Sequence, residues 1–230
     1  MSTKILIVDD EPEIADLVEL YLKSEQYIVF KFYNPADAVK CIEDEKLDLA
    51  ILDIMMPGMD GFALLKKIRE HHHYPVIMLT AKGEEIDKIN GLTLGADDYI
   101  TKPFLPLELV ARAKAQIRRY RQYNSGGTDE EILVCSGLVI NVHTHECTLN
   151  ERTLSLTPTE FSILQILCRQ KGKVVSAEHL FHEIWGDEYY SKSNNTITVH
   201  IRHLREKMED SFENPKYIKT VWGCGYKIEG

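Results

Sequence analysis

Four apolar runs in the first half of this chain end on groups that can do chemistry. KILIV (4–8) runs into Asp9, Asp10 and Glu11, and LDLAIL (47–52) runs into Asp53. YPVIMLT (74–80) closes on Thr80, and DDYIT (97–101) is followed by Lys102. Three clustered carboxylates repel one another, so a hard cation is their natural neutraliser, and Mg²⁺ suits oxygen ligands with retained waters. An aspartate in such a set can act as a nucleophile toward phosphorus and form an acyl phosphate. A metal and a lysine then offset charge on the equatorial phosphoryl oxygens. Any one of these residues alone is more often a solvated strand end. All of them at successive strand ends are hard to assign to chance.

The elements that must position these groups alternate. After KILIV comes a helix whose apolar stripe is Ile14, Leu17, Val18, Tyr21 and Leu22, at helical spacing. YIVFKF (27–32) is a second strand, and Asn34-Pro35 is an N-cap followed by proline at the first helical position. LDLAIL is the third strand, continuously apolar as a parallel strand covered on both faces should be. Helices follow over 62–69, 85–94 and 107–121, the last ending in Arg118, Arg119 and Arg121, where cations suit the helix dipole. Five strand–helix repeats predict a doubly wound α/β fold with a five-stranded parallel sheet. Ligands of such sheets sit beyond the carboxyl ends of the strands, at the switch in strand order.

A length of 230 residues with 44% hydrophobic and 27% charged residues is globular rather than disordered. No apolar run approaches a membrane span, and MSTKILIVDD lacks a signal peptide's basic start and long apolar stretch, so a cytoplasmic location is expected. Five widely spaced cysteines without a CxxC pair suggest neither a zinc site nor a disulfide framework and read as small buried hydrophobes.

YNSGGTDEE (123–131) is polar, glycine-rich and acidic, and reads as a linker between a domain at 1–122 and another at 132–230. Residues 132–157 predict a small antiparallel sheet with a turn at Asn150-Glu151. Thr157, Pro158 and Glu160 form a capping-box pattern, and Ser176 starts a second helix in the same way. On a helix over 194–208, Ile197, Ile201, Leu204 and Met208 share one narrow stripe and should face the core. The opposite surface is expected to show Asn195, Thr196, Val199, Arg202, His203 and Glu206. An amide, a β-branched methyl and an arginine on one face can read a major groove; an ordinary solvated face reads equally well. KYIKTVWGCGYKI, with Gly223 and Gly225 between β-prone residues, predicts a hairpin.

ILIVDDE, LDIMMPGMDG, MLTA and GADDYITKPF resemble the receiver domain of response regulators. LTPTEF, SAEHLFHEIW, NTITVHIRHLREKM and YIKTVWGCGY resemble the winged helix-turn-helix output domain of the OmpR/PhoB family. The resemblance implies a flavodoxin-like receiver, followed by a smaller winged helix-turn-helix α+β domain. It implies Asp53 as phosphoacceptor; Asp9, Asp10, Asp53 and the backbone carbonyl of Met55 as Mg²⁺ ligands; Thr80 and Tyr99 as the switch pair; and Lys102, before a cis Pro103, as the phosphate-binding lysine. Met55 and Lys82 flank the path of an attacking water. Neither can orient that water, so a long-lived phosphorylated form is expected. DNA-facing residues carried over by position are Asn195, Thr196, Val199, His200, Arg202, His203 and Arg205, with Trp222 where many family wings place an arginine. A symmetric dimer is implied to pair Lys88 with Glu108, Asp98 with Arg112 and Asp97 with Arg119 around Ile89, Leu92 and Val110.

The implied function is a phosphorylation-activated transcriptional regulator, not an enzyme apart from catalysing its own phosphorylation and dephosphorylation. Its implied partners are a sensor histidine kinase, double-stranded DNA with direct-repeat half-sites, RNA polymerase and, once phosphorylated, a second copy of the chain. IADLVELYL, YITKPF with PLEL, and TVWGCGYKIE resemble the branch that controls glycopeptide-resistance genes. Two rivals remain. An aspartyl-phosphate phosphatase would want a second acid–base carboxylate just after its nucleophile, but Ile54 and Met55 follow Asp53. An acidic protein-interaction adaptor with a receiver switch would explain the charge. Residues 1–123 carry 16 Lys+Arg against 21 Asp+Glu, and residues 124–230 carry 11 against 15, so neither half shows the usual basic footprint of a DNA-binding domain. Positive charge is local, at Arg202, Arg205, Lys207, Lys216, Lys219 and Lys227, and a monomer is expected to bind DNA weakly.

Overall fold

The structure, a computed structural model, describes residues 2–81, 95–124, 131–185, 195–211 and 213–229. It divides into two compact units, Met1–Tyr120 and Arg121–Gly230. The helix expected over 85–94, with Lys82, Lys88, Ile89 and Leu92, lies outside the described residues, as do 125–130 of the stretch read as a linker.

The first unit contains β1 (Lys4–Val8), α1 (Pro12–Ser24), β2 (Ile28–Phe32), α2 (Pro35–Asp44), β3 (Leu49–Asp53), α3 (Gly61–His71), β4 (Val76–Ala81), β5 (Asp98–Lys102) and α4 (Pro106–Asn124). Its strands form one parallel sheet in the order β2-β1-β3-β4-β5, the doubly wound arrangement expected. Strand order reverses between β1 and β3, whose register sets Val8 beside Leu52, so Asp9 and Asp53 leave adjacent strand ends. Every residue of β3 is buried, which explains its unbroken apolar run. Alternation then divides the sheet residues between two faces. Ile5, Ile7, Leu49, Ile51, Ile77 and Leu79 pack with Val18 and Leu22 of α1 and Leu109, Ala113 and Ile117 of α4. Local signals set the helix starts. Asn34 accepts from Ala36 N at 2.9 Å and Asp60 from Ala63 N at 2.7 Å, each satisfying an amide that the first turn leaves unpaired.

The second unit contains β6 (Ile132–Cys135), β7 (Leu138–Asn141), β8 (Cys147–Leu149), β9 (Arg152–Thr153), α5 (Pro158–Arg169), α6 (Ala177–Trp185), α7 (Asn195–Lys207), β10 (Ile218–Val221) and β11 (Gly225–Ile228). β6 to β9 form an antiparallel meander, whose turn at Asn150 and Glu151 takes positive φ at both residues. The capping box at the start of α5 is complete. Thr157 N donates to Glu160 Oε2 at 2.8 Å, and Glu160 N donates to Thr157 Oγ1 at 3.4 Å. Ile197, Ile201, Leu204 and Met208 enter a core with Phe161, Leu164, Leu180, Ile184 and Ile218. Cys135, Cys147 and Cys168 are buried as expected, whereas Cys224 is exposed in the turn between β10 and β11.

That hairpin docks on the segment before α6. Val175 N donates to Tyr226 O at 2.8 Å, and Tyr226 N donates back to Val175 O at 2.9 Å. The approach is close enough that a Cβ on Gly225, at φ +142, would lie 2.1 Å from Val175 O. Gly225→Ala must therefore part the hairpin from this segment or strain its backbone. We expect a loss of about 2 kcal/mol and a fall of roughly 8–16 °C in the thermal midpoint of the second unit, read by circular dichroism.

Candidate functional site

The strand ends of the first unit build a buried acidic corner. Asp9, Asp10 and Asp53 each offer a carboxylate oxygen, all within 4.8 Å of one another. Asp9 is fully buried and Asp53 nearly so, because α1 and α3 begin directly beside the strands that carry them. Asp9 Oδ1 accepts from Glu11 N at 3.0 Å, tying the carboxylate to the start of α1. Gly61 allows the approach of α3: a Cβ there would lie 2.0 Å from the carbonyl oxygen of Asp53. Gly61 N also donates to Ile54 O at 3.0 Å, which folds the Met55–Asp60 loop back over the strand end.

One cation spans this corner. Lys102 Nζ lies 2.9 Å from Asp9 Oδ2, 3.0 Å from Asp53 Oδ1 and 2.9 Å from Glu11 Oε1. Burial pushes the Asp53 carboxyl above its ordinary pKa; the bond and charge of Lys102 oppose that rise, while Asp10 and Glu11 add to it. Asp9 is raised for the same leading reason, burial, against the same lysine. Burial works against the Lys102 ammonium, but Glu11, Asp9 and Asp53 together outweigh it and hold its pKa above the ordinary lysine value. The corner carries more negative charge than Lys102 offsets, and its oxygen donors are closely spaced. A hard divalent cation such as Mg²⁺ fits that donor set. Glu11 was not singled out from the sequence; the signal for it was the third consecutive acid after β1.

Thr80 is fully buried at the end of β4, and Tyr99 is 9% exposed in β5. The Lys102–Pro103 peptide bond is cis. Met55 is 61% exposed, so its side chain does not cover the corner from within the core.

The face expected to join two copies reads differently in a single chain. Asp98 is buried in a two-oxygen pair with Arg112 Nη1, 3.0 Å to each, and Arg112 also holds Glu108 at 3.1 Å. Asp97 is fully buried, pairing with Arg69 at 2.8 Å and accepting from Val76 N at 2.9 Å. Val110 is a core residue, and Arg119 is 7% exposed. Asp97, Asp98, Val110, Arg112 and Arg119 are thus buried within the single chain. Charges this close to an apolar core are stable only when paired, and the nearest partners are on the same chain.

α7 is likewise more committed to its own domain than its polarity suggests. Val199, His200, His203 and Arg205 are buried, at 8%, 1%, 3% and 9% exposure, which corrects their expected outward placement. Arg205 donates to Ile218 O at 2.7 and 3.2 Å and to Thr220 Oγ1 at 2.8 Å, fastening the helix to β10. Thr198, Arg202 and Glu206 form the exposed stripe, with Thr196 half-buried. Thr198 was missed from the sequence, although it stands one helical turn before Arg202. The Asn195 side chain lies outside the described residues. Several cations of this unit are paired internally: Arg202 with Glu206 at 3.1 Å, Lys207 with Glu160 at 2.6 Å, and Lys219 with Glu229 at 2.8 Å. Trp222 projects from the hairpin turn, 90% exposed.

Comparison with known proteins extends this picture. Residues 5–114 match the family described as "Response regulator receiver domain", and residues 151–228 match "Transcriptional regulatory protein, C terminal". The chain is 70% identical over 230 residues to the regulatory protein VanR of Enterococcus faecium, and 52% identical over 231 residues to VanRc of Enterococcus gallinarum, with all of each chain covered. Among solved structures, a RitR mutant superposes with a TM-score of 0.77 at 27% identity. DrrB, a Thermotoga maritima OmpR/PhoB homolog, superposes with 0.53 at 31%. Both cover the whole of each chain.

The buried pairs make a direct stability prediction. Arg112→Ala leaves Asp98 as an uncompensated interior charge and should cost about 3–5 kcal/mol. Arg202→Ala removes an exposed pair and should cost below ~1 kcal/mol. Urea unfolding of the two variants measures the difference. Equal, small losses would mean that Asp98 is solvated in the folded chain.

Proposed function

The chain belongs to the VanR-type response regulators, with a receiver domain followed by an OmpR/PhoB-type DNA-binding domain, and from that membership we propose how its own residues carry out the switch. It is a phosphorylation-activated, DNA-binding transcriptional regulator. In our reading Asp53 is the phosphoacceptor, a sensor histidine kinase is the donor, and the genes controlled are those of glycopeptide resistance. The observation that carries the reading is the buried corner itself: three carboxylates within 4.8 Å at adjacent strand ends, spanned by one lysine.

An Asp53 oxygen attacks the phosphorus of a phosphohistidine. The new O–P bond forms as the P–N bond breaks, and the imidazole leaves with the electron pair and takes up a proton. Asp9, Asp10, Asp53 and the Met55 carbonyl would hold Mg²⁺, which when bound supplies charge neutralisation at the phosphoryl oxygens. Lys102 already contacts the Asp53 oxygen at 3.0 Å, so it needs only a small movement to meet a phosphoryl oxygen instead. Thr80, buried one strand away, would supply a hydroxyl for a second phosphoryl oxygen. Its reorientation would vacate space that the Tyr99 ring could enter, coupling the acyl phosphate to the β5–α4 face.

Downstream, phosphorylated copies pair and read direct-repeat half-sites, with Arg202, Thr196 and Thr198 on the groove side of α7 and Trp222 at the hairpin tip. RNA polymerase is the machinery that they recruit. Paired binding matters because six cations of the second unit, Arg152, Arg169, Arg202, Lys207, Lys219 and Lys227, are already paired with acids of the same chain. A monomer therefore has a weak phosphate-contact term, and two tethered copies compensate through effective concentration.

Two measurements test the proposal. Asp53→Asn should abolish Mg²⁺-dependent labelling by acetyl phosphate or a phosphohistidine donor, while Lys102→Ala should still be labelled but lose the conversion to dimer seen by light scattering. Labelling of Asp53→Asn at the wild-type rate excludes the site. The second concerns the lifetime of the acyl phosphate. Met55 offers only a weak thioether acceptor, and Lys82 is a donor that cannot accept a proton from water while charged. Phosphate loss from the wild type should be slow, and Met55→Asn with Lys82→Glu should hasten it by about 10-fold or more, within the range of a positioned acid–base group. Equal rates would mean that neither side chain governs the water.

A further inference from the structure

The second unit holds a cluster that neither phosphorylation nor DNA reading uses. Glu160, His200 and His203 are 1%, 1% and 3% exposed, and one ligand atom from each lies within 4.8 Å of the others. His200 and His203 stand three apart on α7 and so share one side of the helix. Glu160 comes from the first turn of α5. The cluster thus joins the helix that carries Arg202 to the helix packed behind it.

The two oxygens of Glu160 have different surroundings. Oε2 accepts from Thr157 N at 2.8 Å and from Lys207 Nζ at 2.6 Å. Oε1 faces His203 Nδ1 at 4.0 Å, too far for a hydrogen bond. His203 Nε2 is buried with no hydrogen-bond partner among the described residues. A buried ring nitrogen left without a partner is costly. Two ligand atoms of a tetrahedral zinc-type centre, with bonds near 2.0–2.1 Å, stand about 3.3 Å apart. Small rotations of side chains already within 4.8 Å close that gap. Neutral imidazoles favour Zn²⁺ and related transition ions over Mg²⁺ or Ca²⁺.

From this geometry we propose that Glu160 Oε1, His200 and His203 form a binding site for a divalent transition-metal ion of the zinc class, with water as the fourth ligand. The site is separate from the Mg²⁺ corner of the first unit in residues and in ligand chemistry. Lys207 does not occupy the oxygen that the ion needs, and its side chain is 35% exposed, so the ammonium can withdraw into water as the dication enters. Occupancy ties α7 to α5 through its buried side while leaving Arg202 outward, and so stiffens the helix proposed to enter the groove.

The test uses the full chain with Mg²⁺ in excess, so that the receiver carboxylates do not compete. The run His71-His72-His73 is replaced by alanine to remove a surface chelator. Co²⁺ is the probe. The expected result is one Co²⁺ per chain with the intense visible bands of a tetrahedral site. His203→Gln and His200→Gln should lose those bands and weaken binding by at least about 100-fold, since even outer-shell partners of a metal are worth about 10–100-fold. Retention of the bands and of affinity in His203→Gln overturns the proposal, as does failure of the parent to take up Co²⁺ at one equivalent. X-ray absorption of the Zn²⁺-loaded parent needs no buried substitution. Two imidazoles and oxygen in the first coordination sphere support the site, and fewer than two imidazoles overturn it.

Discussion

Repulsion among Asp9, Asp10 and Asp53 is the constraint to which the first unit is built. At about 4 Å, two like charges at an effective dielectric near 20 repel by about 4 kcal/mol, so three carboxylates cannot be gathered without help. The parallel sheet brings them together because strand order reverses between β1 and β3, leaving a crevice at their carboxyl ends. Lys102, delivered by β5 from the far side of β4, returns part of the cost through contacts with Asp9, Asp53 and Glu11. The balance remains negative. A donor set held in that state suits a dication, in keeping with the phosphoacceptor role proposed for Asp53. The same arrangement makes the corner responsive, since adding a phosphoryl group at Asp53 must redistribute every contact that Lys102 makes.

The second unit solves a different problem, which is presenting a polar helix from an acidic domain. α7 places Ile197, Ile201, Leu204 and Met208 in the core and also buries His200, His203 and Arg205. Among the described side chains of the helix, those that remain outward are few: Thr198, Arg202 and Glu206, with Thr196 at the margin. Arg205 spends its guanidinium on Ile218 O and Thr220, so the angle between helix and hairpin is set by a charged side chain rather than by apolar contact alone. The hairpin tip adds a large uncharged surface at Trp222. Contact of that kind is insensitive to salt, unlike contact through lysines, of which Lys207, Lys219 and Lys227 are paired with acids of this unit.

Local signals were legible in the sequence and long-range ones were not. The strands of the first unit announce themselves as apolar runs, and the caps at Asn34 and Thr157 depend on residues two or three positions away. The parallel sheet followed from the alternation of strand and helix, and the chemical groups at the strand ends were visible by type. The apolar stripe of α7 was correct to the residue. Its polar neighbours were misplaced because a histidine or arginine on a helical wheel argues for exposure until its partner is known. The partners lie far along the chain: Glu160 is 43 residues before His203, and Ile218 is 13 after Arg205. Asp97 shows the same effect. At a strand end it reads as a surface acid, yet Arg69, 28 residues earlier, holds it inside.

The buried pairs of the β5–α4 face also limit how two copies can use it. Asp98 with Arg112 and Asp97 with Arg69 are already satisfied at 2.8–3.0 Å within one chain. A dimer that traded them for equivalent cross-chain pairs would conserve the number of ion pairs, and with it most of their energy. It would first have to open each pair in an environment where an unpartnered charge costs several kcal/mol. These charges therefore supply register and a barrier rather than the net attraction. Net attraction in such a dimer would have to come from packing rather than from these charges. Tyr99 is buried in the strand that carries both Asp98 and Lys102, between the acidic corner and the Arg112 pair. Asp98 of the Arg112 pair and Lys102 thus sit on one short strand, so that movement at either end of β5 is constrained by the contacts at the other.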